Sequence, residues 1–390
     1  MDTANPPVEH DEDAAHLASL GYSYDTTFKR EMSFWGNVSL GFTYLSPIAG
    51  VYSMFAISLG TAGPPMAWAL VIALVGQFFV ALIFGEVVSN YPVAGGVYPW
   101  SRRLWGRKWA WMNGWIYVVA LVGTIAAVAY GAAPFVASIF GGVVDAGGTV
   151  LIALGTLLVA TVLNFMGTRV LSMAATIGLI AELVGSVVIG GYLLIFGRVH
   201  DFSVVFDNQG IGNDAPGGYF GAFAAAALIG LFAYYGFEAN GDVAEEIKNP
   251  SQRVPRAMRI TLYIGGFAAN LLVFSLVLAV PDFGAVASGE VTDPIGALLH
   301  NAFGPVFPVV MLVIVVAFIS CITSLQAAAS RLIYSMARDR FLPGSAMLAR
   351  FNEVRHVPQN ALLAAGLFPA AVVVLSLLLA EALTAMVGFG

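Results

Sequence analysis

A chain that offers one apolar run after another, each about twenty residues long, has few folds open to it. Such runs fall here at about 33–58, 66–89, 110–140, 149–166, 170–196, 219–241, 257–280, 305–330 and 359–380, and another begins at Glu381 and stops at Gly390. Each can cross a hydrocarbon core of about 30 Å as a helix. Residues 318–331 are expected to continue as helix past the bilayer toward Arg338. Composition agrees: 59% of residues are hydrophobic and 10% charged, where soluble domains carry roughly a quarter charged residues. The chain reads as an all-α integral membrane protein.

Charge placement orients it. If the amino terminus is cytoplasmic, every Lys and Arg except Arg198 falls on the cytoplasmic side, the pattern of a multi-pass protein of the cell membrane. The opposite loops carry Asp145, Asp201, Asp207, Asp214, Asp282, Glu290 and Asp293. Residues 1–30 form a polar leader with no apolar signal segment, so the first span acts as its own insertion signal. The leader is expected to be mobile to about Leu20 and then to lie along the membrane surface. The end at Gly390, inside an apolar segment, suggests a truncated or split product.

Several function classes find no support. The single cysteine, Cys321, excludes a disulfide framework and a cysteine metal cluster, and the five histidines show no ligand spacing. No paired acids, histidines or nucleophile with a base lie within the spans, so the chain is not read as an enzyme. No cofactor or nucleic-acid partner is expected. The partners implied are the lipid bilayer and a small molecule.

Two spans are interrupted. Pro47 removes a backbone donor in the first span, beside the small residues Ser46, Ala49 and Gly50. In the sixth, Gly236 and Gly241 flank Glu238 and Asn240, and a carboxylate at membrane depth is expensive unless it lines a cavity or binds something. Two broken spans, five spans apart, form the pattern of an inverted-repeat transporter. The repeats would cover about 31–197 and about 218–390, the second incomplete. Half-helix amino termini then offer N–H groups to an anion, and half-helix carboxyl termini offer carbonyls to a cation.

Other polar groups carry two readings each. Glu182, deep in the fifth span, is a proton or cation coupling residue or a buried neutral acid satisfied by a backbone carbonyl; the cost of burial favours the first. Thr323 and Ser324 in the eighth span coordinate Na⁺ or bond the i−4 carbonyl, and taken singly the second is favoured; Cys321 and Gln326 read the same way. Phe232, Tyr234, Tyr235 and Phe237 form a wall over an amine or simply pack. Glu86 reads as structural. Glu245, Glu246, Lys248, Arg253 and Arg256 read as a surface ion-pair network that could gate the inner mouth.

Several of these stretches resemble one family. GFEANGDVAEEIKNPSQRVPRAM, Gly236 to Met258, is similar to the signature after the sixth span of amino acid–polyamine–organocation permeases. YPVAGGVYPWSRRLWG (Tyr91 to Gly106), NFMGTR (Asn164 to Arg169) and SRLIYSMARDRFLPG (Ser330 to Gly344) resemble three further motifs in the same order. Leu20 to Tyr52 resembles the amino-acid/choline transporter branch, which includes GABA permeases.

The resemblance implies a leucine-transporter-type fold of five plus five inverted spans, here truncated within the tenth. It implies a secondary active transporter importing an amino acid or related amine such as GABA, by alternating access and coupled to H⁺ or another cation such as Na⁺. Substrate would be held by Ser46, Ile48, Ala49, Gly50, Phe232, Gly236, Phe237 and Glu238, with Phe232 in the place of an aromatic lid four residues before Gly236. Glu182 stands where several relatives carry a lysine and others hold sodium; with Thr323 and Ser324 it would serve the coupling ion. Ile48-Ala49-Gly50 replaces a Gly-x-Gly turn that takes the substrate carboxylate in relatives. The bulkier Ile48 favours GABA, or an amine without a carboxylate: choline, ethanolamine or a polyamine. A truncated, non-transporting remnant is the other alternative.

Overall fold

The first span is the axis of the molecule, and it is two helices rather than one: Phe34–Leu45 and Pro47–Ala62. Every residue from Gly36 to Leu45 is buried. The computed structural model describes residues 28, 30–142, 144–291, 293–352 and 354–378. Almost the whole polar leader and the run from Glu381 lie outside them.

Among the described residues, eight helical stretches are long and apolar enough to cross a membrane: Phe34–Ala62, Met66–Asn90, Arg107–Ile139, Ala146–Phe165, Thr168–Gly197, Gly218–Asp242, Pro250–Ala279 and Pro294–Arg338. Gln359–Leu375 is a shorter apolar helix in the ninth place. The order matches the apolar runs one for one. The eighth span ends in Phe307–Arg338, 32 residues or about 48 Å of helix, so it does run past the bilayer as expected.

Side-chain periodicity decides which helices face lipid. In the second span Ile72, Val75, Phe79 and Ile83 are exposed; three- and four-residue steps put them on one stripe. The fourth span shows Leu151, Leu158 and Val162 in the same way. Small residues turn inward instead. The first span is enclosed by the fifth, seventh and eighth along its leading half and by the sixth along its trailing half; the second span packs on the sixth and seventh.

The two ends of the bundle differ. Contacts between Arg102 and Asp339, Thr168 and Glu246, and Arg355 and the Phe165 carbonyl gather the Lys- and Arg-bearing loops at one end, here called the basic end. At the other end Tyr219 donates to the Ala62 carbonyl and the Val199 amide to the Leu278 carbonyl.

Candidate functional site: two interrupted helices and their carboxylates

The first span breaks at Ser46, which adopts φ +44°, ψ 84°, the left-handed region that costs a side-chain-bearing residue about 1–2 kcal/mol. Pro47 cannot donate, and the next helix starts with its first amides in need of acceptors. Three are supplied. The Ile48 amide donates to Glu182 Oε2 at 3.0 Å. The Ala49 amide donates to Ser46 Oγ at 3.1 Å, and the Gly50 amide to the Ser46 carbonyl at 2.9 Å. Ser46 Oγ itself donates to Glu182 Oε1. Glu182 therefore spans the break, one oxygen on each side, and is fully buried.

Local structure in the fifth span brings the carboxylate there. The α-helix Thr168–Leu183 passes into a π-helical stretch, Val184–Val188, that begins two residues after Glu182. Such bulges shift side-chain register and loosen the carbonyl ladder; Ser186 Oγ donates to the Glu182 carbonyl at 2.5 Å. Gly185 leaves a notch for the Ile48 side chain, since a Cβ there would lie 2.2 Å from Ile48 Cδ1. Cys321 of the eighth span lies beside Ser46 and Glu182.

The sixth span breaks at Gly236. The helix Gly218–Tyr234 ends, Tyr235 is extended, and Gly236 has φ +110°, a value that favours glycine. A Cβ on Gly236 would sit 2.2 Å from Tyr44 Cδ1, so close approach requires glycine as well. Glu238 closes this break from within: its Oε2 accepts from the Gly236 amide at 2.9 Å, and its Oε1 accepts from Tyr117 Oη at 2.6 Å. Tyr44 and Tyr117 hydroxyls are 3.3 Å apart. The Tyr235 ring packs on Tyr44 and Phe232 at centroid distances of 6.0 and 5.6 Å, and its hydroxyl donates to Thr124. Gly50 faces Ala233 of the sixth span, where a Cβ would lie 3.3 Å from Ala233 Cα. The two broken helices thus touch. Phe232 also lines a cavity of about 430 Å³ with Tyr52, Tyr130, Phe135 and Asp293, toward the end opposite the basic loops.

Of the expected site residues, Ser46, Ile48, Ala49, Gly50 and Glu182 meet at the first break, and Gly236 and Glu238 at the second, with Phe232 beside them. Three go elsewhere. Phe237 is buried against Phe84 at 6.1 Å. Thr323 Oγ1 bonds the Ile319 carbonyl at 2.7 Å, the i−4 pattern. Ser324 bonds Thr43 at 2.7 Å. The eighth-span thiol, Cys321, donates to the Tyr44 carbonyl at 3.6 Å, just before the first break. Among the four aromatics, Phe232 and Tyr235 share the site, while Tyr234 is buried and accepts from Asn270.

The acidic half of the supposed surface network needs correction. Glu245 and Glu246 are buried, not solvated. Glu246 pairs with Arg331 of the eighth span at 2.8 Å, each side chain 1% exposed, and accepts from Thr168 Oγ1 at 2.5 Å. Glu245 accepts from the Ala94 amide and faces Arg338 at 3.8 Å. Asp339 accepts from Tyr98 Oη and Arg102; burial, and then that carboxylate, raise the Tyr98 phenol well above its usual range. These pairs join segments far apart in sequence and shut the basic end. Lys248, Arg253 and Arg256 do lie at or near the surface. Tyr44, Tyr117, Asp242 and Arg331 carry no sequence signal that separates them from the many other tyrosines and loop charges.

A family model described as amino acid permease matches residues 33–390. The chain is 26% identical over 388 residues to an uncharacterized amino-acid permease of Schizosaccharomyces pombe, covering 90% of this chain and 68% of that one. It is 26% identical to the amino-acid permease BAT1 of Arabidopsis thaliana over 90% of this chain and 72% of that one. It is 24% identical to the branched-chain amino acid permease BcaP of Bacillus subtilis over 83% and 70%. A Na⁺-coupled sialic acid symporter, solved substrate-bound and outward-open, superposes with a TM-score of 0.64 over 92% of this chain and 76% of that one. At 12% identity this likeness shows the fold alone, and the fold is the leucine-transporter type.

Proposed function

The chain belongs to the amino acid permease family, and we propose that it is a secondary active transporter that imports an amino acid or related amine such as GABA by alternating access. Substrate sits between the two breaks, against Ser46, Ile48, Ala49, Gly50, Phe232, Gly236 and Glu238. Glu182 is the coupling residue, and the coupling ion is H⁺. The membrane is the cell membrane, with the basic end in the cytoplasm.

One observation carries this reading: a buried carboxylate from the fifth span holds both sides of the break in the first. Ionised, Glu182 accepts two hydrogen bonds and complements the positive end of the trailing helix. Protonated, it is a poorer cap, and the break is freer to change shape. A proton gradient thereby acts on the helix that faces substrate. Each pH unit supplies about 1.4 kcal/mol per proton, or about tenfold accumulation.

The same observation favours a second substrate class. The amide that a substrate carboxylate would use, that of Ile48, is already given to Glu182. An incoming carboxylate would meet a like charge there, whereas an ammonium would meet an opposite one. Choline, ethanolamine or a polyamine fits this seat better than an α-amino acid.

Proteoliposomes under an inward proton gradient test both points with a panel of amino acids and amines. Wild type is expected to accumulate an aminated solute about tenfold per pH unit. Glu182→Gln is expected to keep exchange of that solute while losing accumulation. Undiminished accumulation by Glu182→Gln would end the coupling assignment.

A further inference from the structure

The shut basic end holds more buried acid than base. Glu238, Asp242 and Glu246 are all at most 5% exposed, and Arg331, 1% exposed, is the one buried guanidinium among the described residues. Arg331 is committed: its Nε binds Glu246, and its Nη1 bonds the Ala327 carbonyl and Ser330. Glu238 has Tyr117 and the Gly236 amide. Asp242 has neither. It is 0% exposed, and neither carboxylate oxygen has a hydrogen-bond partner.

An ionised carboxylate without donors, taken from water, is destabilised by several kcal/mol. The elements around Asp242 fail to relieve it, the seventh span included, which brings the apolar Met258 against Gly241. Its own segment presents Glu238, a like charge, and the eighth span presents Arg331, already paired. The first and third spans present the hydroxyls of Tyr44 and Tyr117, which face each other and Glu238. The stretch after the second span presents backbone: the Gly95 amide bonds the Asp242 carbonyl rather than its carboxylate. The group needs a cation, and there is little room for one. A Cβ on Gly96 would lie 2.3 Å from Asp242 Oδ1. No cluster of three metal-ligating side chains occurs among the described residues. A proton needs no volume.

We propose that Asp242 binds a proton while the basic end is shut and releases it when that end opens to water. The transporter then carries two buried acid groups that take a proton, Glu182 of the fifth span at the first break and Asp242 of the sixth span past the second. As the end opens, the Glu246–Arg331 pair parts, and Arg331 becomes available to the newly ionised Asp242. The proposal rests on the transporter reading only for its timing; the bound proton itself is a property of the resting protein.

Among the described residues Asp242 is the one buried aspartate, which makes it visible. Full-length protein labelled with ¹³C-aspartate should show, at neutral pH, an infrared carbonyl band of a protonated aspartate. The band should vanish in Asp242→Asn and persist in Glu182→Gln. In proteoliposomes, wild-type exchange should slow as the pH at the basic end falls, because the bound proton favours the shut form. Exchange by Asp242→Asn should lose that slowing at low pH on the basic end and keep only the dependence that Glu182 brings. No protonated-aspartate band in wild type overturns the proposal even if Asp242→Asn does not fold. A wild-type pH profile in a folded Asp242→Asn also overturns it. Because the band is read without transport, failure of the Glu182 assignment leaves it standing.

Discussion

The two interrupted helices solve one problem in opposite ways. Each break leaves backbone amides inside the membrane, and each is closed by a glutamate. At the second break the glutamate is local: Glu238 reaches back two residues to the Gly236 amide. At the first it is remote: Glu182 reaches in from another span to Ile48 and Ser46. A local cap travels with its helix. A remote cap exists only while the fifth span stands in one position, so the first break can respond to movement and the second cannot. The backbones differ to match. Gly236 accepts its positive φ without strain, whereas Ser46 is held in one by its partners.

The largest effect should come from the self-contained break. Gly236→Ala adds a Cβ 2.2 Å from Tyr44 Cδ1 at φ +110°. Backbone strain of about 1–3 kcal/mol and overpacking of about 1–3 kcal/mol fall together on one position. The variant is expected to melt well below wild type in detergent and to show no exchange. A near-wild-type melting temperature would mean that Tyr44 yields easily and that the second break is softer than its geometry indicates.

Much of this architecture is legible in the sequence, and the boundary is physical. Spans follow from run length, because lipid demands it. The breaks follow from Pro47 and Gly236, because proline and glycine act through their own backbone. Glu182 stands out because a carboxylate in ATIGLIAELVG is conspicuous. Its partners do not, since nothing in the residues around it specifies that Ile48, 134 positions away, will meet it. The same distance hid the basic end: Glu246 looked like a solvated loop charge because its partner, Arg331, lies 85 positions on. Thr323 bonds the preceding turn, the reading favoured for it singly, whereas Ser324 meets Thr43, 281 positions away, a partner that nothing around it specifies.

A mid-sized effect separates the two caps. Glu238→Gln keeps the shape of the local cap but turns charge-assisted hydrogen bonds into neutral ones, a loss of about 1 kcal/mol. Because Glu238 caps locally and also faces substrate, gradient-driven accumulation should survive with weaker substrate affinity and a somewhat lower rate. Glu182→Gln makes the same chemical change at the remote cap and should abolish accumulation. Equal behaviour of the two variants in the uptake assay would erase the distinction between them.

The smallest effect probes strain at the first break. Ser46→Ala removes the hydroxyl that bonds Glu182 and the Ala49 amide and leaves a Cβ in the left-handed region. Ser46→Gly removes the same hydroxyl and also relieves the backbone, by about 1 kcal/mol. Both lose hydrogen bonds of about 1–3 kcal/mol, so the difference between the variants reports the strain less the about 0.4–1 kcal/mol that glycine loses through the unfolded chain. Ser46→Gly is expected to melt above Ser46→Ala. If the two melt together, Ser46 stores no strain beyond that loss, and the first break is held open by the proline and the remote carboxylate without help from the residue between them.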